Sequence, residues 1–245
     1  MENRPLNKYL DLTLLKPDAT SKEIKALAKT AVEFQVAGLC IQPNALGVVK
    51  NILKDSGVLL VTVPNWIMGG GLLPERGETA LEYSKSADEI DYVVNVYQAY
   101  ESKEYDKVEI EIRKVRGYAK ILKVIIESSY IRMTHYEERV ALTKKIIEIA
   151  ENAGADWIKT DSGLFKRMDR KVKLNDKVTV EETAFEGLMD DVRSIMKFTK
   201  KPVKAAGGIK TKKQAEELIA LGVQRIGTSS IKVLEDEIVL PTDKY

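Results

Sequence analysis

The feature that most constrains this 245-residue chain is an alternation of short apolar runs with longer amphipathic segments, repeated eight times. Strands are expected near Tyr9–Leu14, Gly38–Gln42, Leu59–Pro64, Ile90–Val96, Ile121–Glu127, Trp157–Asp161, Val203–Ala206 and Arg225–Thr228. Helical periodicity falls between them, over Ser21–Val36, Ala45–Lys54, Pro74–Ala87, Lys103–Ala119, Thr134–Ala153, Glu181–Phe198 and Lys212–Ala220. Ser21 with Ile24, and Thr134 with Glu137 at capping-box spacing, read as helix starts. Gly38, Gly154 and Gly222 each follow a helical pattern, where a left-handed cap is wanted. Alternation of this kind means parallel strands joined by right-handed crossovers. Eight of them close a (β/α)8 barrel, so the expected fold is a single α/β TIM barrel over residues 1–245. The competing open, doubly wound sheet would carry a glycine-rich turn after its first strand, where this chain has Leu14-Leu15-Lys16-Pro17.

Strand parity sharpens that reading. Parallel strands buried on both faces are normally apolar throughout, yet several of these carry polar residues at alternate positions. Asp11 shares a face with Thr13, Asp91 with Val93 and Asn95, Lys123 with Ile125 and Glu127, Lys159 with Trp157 and Asp161, and Lys204 with Ala206. If the apolar set packs under the helices, these charges point into the barrel. Buried charges that are not paired cost several kcal/mol each, so Asp11, Asp91, Lys123, Lys159 and Lys204 are expected to form a site.

Composition narrows the chemistry. A single cysteine, Cys40, rules out an internal disulfide framework, and a single histidine, His135, rules out a multi-histidine zinc site. No metal and no cofactor are expected. With 39 Lys plus Arg against 37 Asp plus Glu, the near-neutral balance argues against a nucleic-acid partner. No run approaches the ~18 apolar residues of a membrane span, and Met1-Glu2-Asn3-Arg4-Pro5 is not built like a secretory signal. A cytoplasmic enzyme working through Lys, Asp, Glu or hydroxyls is the expectation.

Lys159 and Lys204 lie on strands expected to be neighbours. Two ammonium groups ~4 Å apart at an effective dielectric of ~20 repel by ~4 kcal/mol, enough to bring one amine from the ordinary lysine range towards neutrality. A free amine attacks carbonyl carbon to form a Schiff base, an electron sink that makes cleavage or formation of the adjacent C–C bond feasible. Asp91 is the candidate general acid/base, with Lys123 as its ion-pair partner. The bland reading is a Lys–Asp network that only supports the barrel. A second signal is Ala206-Gly207-Gly208, with Gly227-Thr228-Ser229-Ser230 at the end of the last strand. Barrel enzymes often hold phosphate there, on backbone amides that glycine leaves accessible.

The residues also carry a family resemblance. Leu10-Asp11-Leu12-Thr13-Leu14-Leu15-Lys16, Cys40-Ile41-Gln42-Pro43, Glu89-Ile90-Asp91 and Leu122-Lys123-Val124-Ile125-Ile126-Glu127 resemble deoxyribose-phosphate aldolases. So do Ala153-Gly154-Ala155-Asp156-Trp157-Ile158-Lys159-Thr160, Val203-Lys204-Ala205-Ala206-Gly207-Gly208-Ile209 and Arg225-Ile226-Gly227-Thr228-Ser229-Ser230, in the family's order. The resemblance implies a metal-free class I aldolase that reversibly splits 2-deoxyribose 5-phosphate into glyceraldehyde 3-phosphate and acetaldehyde. It implies Lys159 as the Schiff-base lysine, Lys204 as the lysine that lowers its pKa, Asp91 as the proton-transfer aspartate, and Asp11 and Lys123 as inner polar residues. Gly163, Gly207, Gly208, Gly227, Ser229 and Ser230 match the phosphate grip. The expected partner is a small phosphorylated sugar or aldehyde, and the expected assembly a homo-oligomer, dimer or tetramer. A class I aldolase with another substrate and a catalytically silent sugar-phosphate-binding barrel are the alternatives.

Three departures from the family stand out. Asp161 replaces a Ser or Thr, where its charge would favour a neighbouring ammonium or repel phosphate. An insertion at about 164–180 alternates like a hairpin around Asn175-Asp176, and Asn65 to Gly71 is altered. His135 is expected at a helix start in a capping or exposed role, Cys40 as an interior residue, and Tyr245 as a tail residue with some chance of reaching the site. Lys166, Arg167, Arg170, Lys171 and Lys173 form a basic cluster able to attract an anion.

Overall fold

The computed structural model describes residues 4–64, 81–82, 84–175 and 178–237. Eight parallel strands close into a barrel: β1 (Leu10–Leu14), β2 (Gly38–Ile41), β3 (Leu59–Thr62), β4 (Glu89–Val93), β5 (Ile121–Ile125), β6 (Trp157–Lys159), β9 (Val203–Ala206) and β10 (Arg225–Thr228). Between β6 and β9 the chain adds an antiparallel hairpin, β7 (Arg170–Asn175) and β8 (Val178–Glu182), that stays outside the barrel sheet. β2, β3, β4, β5 and β6 end one to three residues earlier than their apolar runs, while β1, β9 and β10 end where expected.

The helices around the barrel are α1 (Ser21–Glu33), α2 (Leu46–Leu53), α3 (Tyr105–Arg116), α4 (Ser128–Thr134), α5 (Arg139–Asn152), α6 (Ala184–Phe198) and α7 (Lys212–Ala220). The expected helix over Pro74–Ala87 lies largely outside the described residues. Three helix starts carry reciprocal capping boxes, Thr20 with Glu23, Thr183 with Glu186 and Thr211 with Gln214, each satisfying amide donors that the first turn leaves open. α1 starts at Ser21 as expected, with Thr20 as its cap.

The expected start at Thr134 is corrected. Thr134 ends α4, its hydroxyl donating back to the Tyr130 carbonyl at 2.7 Å, and α5 begins only at Arg139. Glu181 likewise belongs to the hairpin rather than to α6.

Parity holds around the barrel. The apolar faces of the strands pack under the helices in two large clusters, one around Leu10, Leu39, Ile41 and Ile226 and the other around Ile90, Leu122, Val124 and Ile158. Inside the barrel, Cys40, Val61, Val63, Val93 and Ile125 pack with Leu15 in a small apolar cluster of their own. Asp11, Asp91, Lys123, Lys159 and Lys204 share the interior with them.

Gly154 and Gly222 take the left-handed backbone expected of helix caps, with φ of +93° and +102°. Gly38 does not. It is the first residue of β2, paired with Asp11, and a Cβ there would lie 2.5 Å from Asp11 Oδ1. Its glycine identity makes room for a carboxylate inside the barrel.

Candidate active site

Strand register assembles the interior cluster. Asp91 on β4 sits beside Lys123 on β5, Ile125 beside Lys159 on β6, and Lys159 beside Lys204 on β9. Asp11 on β1 lies between Gly38 and Gly227, two positions without a side chain. Gly227 has a second consequence: a Cβ there would lie 3.3 Å from Lys204 Cε, so the lysine's stem runs through the space it leaves.

Asp91 is the hub. Its Oδ2 accepts hydrogen bonds from Lys159 Nζ and Lys204 Nζ, each at 2.8 Å, and its Oδ1 accepts one from Lys123 Nζ at 3.1 Å. Because they share one oxygen, the Lys159 and Lys204 nitrogens are no farther apart than twice 2.8 Å. Lys204 also donates to Asp11 Oδ2 at 2.5 Å, Arg225 bonds Asp11 Oδ1 at 2.6 Å, and Lys123 bonds Glu89. Glu89 and Arg225 meet at 3.4 Å, closing the network. Asp11, Asp91, Lys123 and Lys204 are wholly buried, and Lys159 is 3% exposed.

The electrostatics follow from this wiring. Burial alone pushes the Asp91 carboxyl up, but the ammonium groups of Lys123, Lys159 and Lys204 override it and hold the group well below the ordinary carboxylate range. Asp11 is likewise opposed by burial, yet Lys204 and Arg225 bring it down to about 2. Burial works against the Lys204 ammonium, but Asp11 and Asp91 overcome it and hold its pKa well above the ordinary lysine range. Repulsion between the two cations is only part of the balance. In the structure a carboxylate oxygen lies between them and a second carboxylate binds Lys204. The outcome is a fixed cation beside Lys159, whose ammonium contacts a single carboxylate.

Glu89 and Arg225 were not among the expected site residues. The signal for Glu89 was present, since it lies two residues before Asp91 on the same strand face. Arg225 opens β10, and nothing in its sequence neighbourhood marks it as buried.

At the C-terminal ends of the strands, Gly207 and Gly208 have φ of +99° and +81°, and nothing lies within 4 Å of a Cβ built on Gly208. Gly163 is also left-handed, at +89°. Ser229 is exposed, while Ser230 donates its amide to Thr228 Oγ1 at 3.0 Å and its hydroxyl to the Lys210 carbonyl at 3.2 Å.

Asp161 does not bond Lys159. It accepts from the Ser129 amide at 2.7 Å and from Arg167 at 2.8 Å, lying 3.1 Å from where a Gly207 Cβ would be. Arg167, expected in a basic cluster able to attract an anion, is instead engaged within the protein and also bonds Asp191 at 2.7 Å and Ser128 Oγ at 2.7 Å. The buried Arg132 fastens the hairpin, pairing with Glu182 of β8 and with Asp190 and Asp191 of α6.

His135 is partly buried just after α4, 2.9 Å from Glu101. Cys40 is fully buried, and burial pushes its thiol up to about 11. Among the described residues no group of three or more His, Cys, Asp or Glu could hold a metal ion, and no helix is long and apolar enough to cross a membrane. Asn65 to Gly71 and Tyr245 lie outside the described residues.

A closed barrel whose wired lysine ends a strand on the C-terminal face is the build of a barrel enzyme, with its chemistry at the face where such folds hold it. The comparisons identify which kind. A family model described as DeoC/LacD family aldolase matches residues 7–228. A deoxyribose-phosphate aldolase from Finegoldia magna is 36% identical over 94% of this chain and 99% of that relative. Among solved structures, "QR15, an Aldolase" superposes with a TM-score of 0.76 at 29% identity, covering 97% of this chain and 96% of that one. A tetrameric deoxyribose phosphate aldolase from Aeropyrum pernix shares the fold with a TM-score of 0.73 at 24% identity, covering 96% and 92%. The chain belongs to the DeoC/LacD aldolase family. It is a class I aldolase, a carbon–carbon lyase.

Proposed function

We propose that this aldolase reversibly cleaves 2-deoxyribose 5-phosphate to glyceraldehyde 3-phosphate and acetaldehyde through a Schiff base on Lys159. The observation that carries the reading is the shared oxygen of Asp91, which holds the Lys159 and Lys204 nitrogens at 2.8 Å each inside the closed barrel. The interior network sets four cations, Lys123, Lys159, Lys204 and Arg225, against three anions, Asp11, Glu89 and Asp91. Loss of one proton leaves the network neutral. Lys204 is clamped by two carboxylates, so Lys159 is the amine that supplies the nucleophile.

In synthesis, Lys159 attacks the acetaldehyde carbonyl and water leaves, giving an iminium. Removal of a proton from the adjacent carbon gives the enamine, which attacks the second aldehyde. Lys204 keeps a positive charge beside the nitrogen, Asp91 orients both lysines, and Lys123 and Asp11 fix the network from either side. The left-handed Gly207 and Gly208 backbone, with Gly163, Ser229 and Ser230, is assigned to the substrate phosphate; Gly227, expected there too, instead faces Asp11 and makes room for the Lys204 stem. Arg167 neutralises Asp161 beside this grip, removing the repulsion that a lone carboxylate would exert on phosphate. The tetrameric relative supports a homo-oligomeric assembly, and the composition supports a cytosolic setting.

Borohydride reduction with acetaldehyde tests the reading. A two-carbon adduct should appear on the Lys159 peptide by mass spectrometry, and Lys159→Arg should abolish both adduct and turnover. An unlabelled wild type would overturn it.

A further inference from the structure

Resting on the Schiff-base reading, we infer that Arg225, with Glu89 opposite it, is a positioning residue for the reaction: it supplies the surplus positive charge against which Lys159 gives up its proton. Arg225 opens β10 and Glu89 opens β4. Both are buried at the N-terminal end of the barrel, away from the face where such folds hold their chemistry, so they act through the network rather than on the substrate.

Two chains of contacts lead from Arg225 to Asp91. In the first, Arg225 Nη1 lies 2.6 Å from Asp11 Oδ1, Asp11 Oδ2 binds Lys204 Nζ at 2.5 Å, and Lys204 binds Asp91 Oδ2 at 2.8 Å. In the second, Arg225 Nη2 lies 3.4 Å from Glu89 Oε1, Glu89 binds Lys123, and Lys123 reaches Asp91 Oδ1 at 3.1 Å. The two chains close a ring with Arg225 at one end and Asp91 at the other. Lys159 is attached to that ring only through Asp91 Oδ2, at 2.8 Å. The partly buried Trp157 ring faces both Arg225 and Lys123, with its centroid 5.7 Å and 5.9 Å from their charged groups.

The charges of the ring decide which group yields. While Lys159 is protonated, the four cations exceed the three anions by one. Arginine keeps its charge at any working pH, and although burial opposes the Arg225 guanidinium, Asp11 and Glu89 overcome it. Lys204 and Lys123 each bind two carboxylates, so the excess falls on Lys159, which binds one. Without Arg225, three cations would meet three anions and Lys159 would keep its proton.

Removing either member of the pair strands no charge. Without Arg225, Asp11 retains Lys204 and Glu89 retains Lys123; without Glu89, Arg225 retains Asp11 and Lys123 retains Asp91. The large penalty for an orphaned buried ion is thus avoided, and what changes is the charge balance. The other titratable groups around Lys159 are common to every variant. Cys40 on β2 is kept neutral by burial, which pushes its thiol up to about 11. Beyond β5, Glu127 is pushed up to about 7 by burial and by Asp161, whose counterion is Arg167.

Reductive trapping of acetaldehyde on Lys159 with cyanoborohydride, followed across pH by mass spectrometry, gives the midpoint at which the amine becomes available. The exposed Lys213 serves as internal reference. A unit charge roughly 8–12 Å away at an effective dielectric of ~20 moves such a midpoint by about 1 unit. Arg225→Met should therefore raise the midpoint by about 1 unit and cut labelling at neutral pH about tenfold. Glu89→Gln should lower it by a similar amount. Arg225→Lys should hold the wild-type midpoint, and Glu89→Gln combined with Arg225→Met should restore it, a recovery that a purely structural role would not give. An unmoved midpoint, or shifts of one sign in both single variants, would overturn the inference and leave the aldolase reading standing. Should Arg225→Met fail to fold, Glu89→Gln decides alone, and a midpoint that does not fall overturns the inference. No Lys159 adduct in the wild type would instead remove the reading beneath it.

Discussion

Replacing Gly38 by alanine is the most direct perturbation of the interior network, because it presses on Asp11 while replacing no charged residue. The added methyl would lie 2.5 Å from Asp11 Oδ1 and 3.1 Å from Val61, whereas carbon and oxygen normally approach to ~3.3 Å. Something must move by roughly 0.8 Å, the shortfall from that contact distance. Asp11 has little room to yield, since Lys204 holds Oδ2 at 2.5 Å and Arg225 holds Oδ1 at 2.6 Å. A shift of that size stretches both bonds beyond the ~3.2 Å limit of a good hydrogen bond. Breaking a buried ion pair costs about 3–5 kcal/mol, and replacing glycine at a compatible backbone returns only about 0.4–1 kcal/mol. Destabilisation wins, by about 3 kcal/mol after partial relaxation. Urea denaturation of Gly38→Ala against wild type measures it, with Gly47→Ala as the control. Gly47 is exposed in α2 with nothing within 4 Å of a Cβ, so alanine there should stabilise by about 0.5–1 kcal/mol. If both substitutions shift stability the same way, the packing argument around Asp11 is wrong.

Three further outcomes follow from the same wiring. Asp11 has a folded value of about 2 against an ordinary 3.8, so its contribution of about 2–3 kcal/mol is present above pH ~4 and lost as pH falls towards 2; Asp11→Asn should flatten that acid limb in pH-dependent melts. Glu127 has the opposite sign. Its folded value of about 7 lies above an ordinary 4.5, so stability falls by about 3 kcal/mol as pH rises from ~4.5 through ~7, and Glu127→Gln should remove that slope. Arg167→Ala strands the buried Asp161 carboxylate and takes one cation from Asp191; a loss of about 3 kcal/mol is expected, with KM rising more for a phosphorylated substrate than for its unphosphorylated analogue. An equal change in KM for both would separate Arg167 from the phosphate grip.

Most of the architecture was legible along the chain because parallel strands and amphipathic helices leave local periodicities of about 2.0 and 3.6 residues. The eight strand positions, the inward face of Asp11, Asp91, Lys123, Lys159 and Lys204, and the caps at Gly154 and Gly222 are all local properties. The break between α4 and α5 was not legible, because apolar periodicity runs through Thr134 to Ala153 while the left-handed Glu127 starts a helix directly after β5. Contacts between distant segments were equally hidden. That Asp91 lies between two lysines, that Arg225 completes Asp11 across 214 residues, and that Arg167 turns inward to Asp161 all depend on barrel closure and strand register, which no window of sequence contains. The sequence determined that Asp11, Asp91, Lys123, Lys159 and Lys204 share the inward faces of their strands. Only the tertiary structure decided their partners, and with them which carboxylate stays an anion and which is left able to hold a proton.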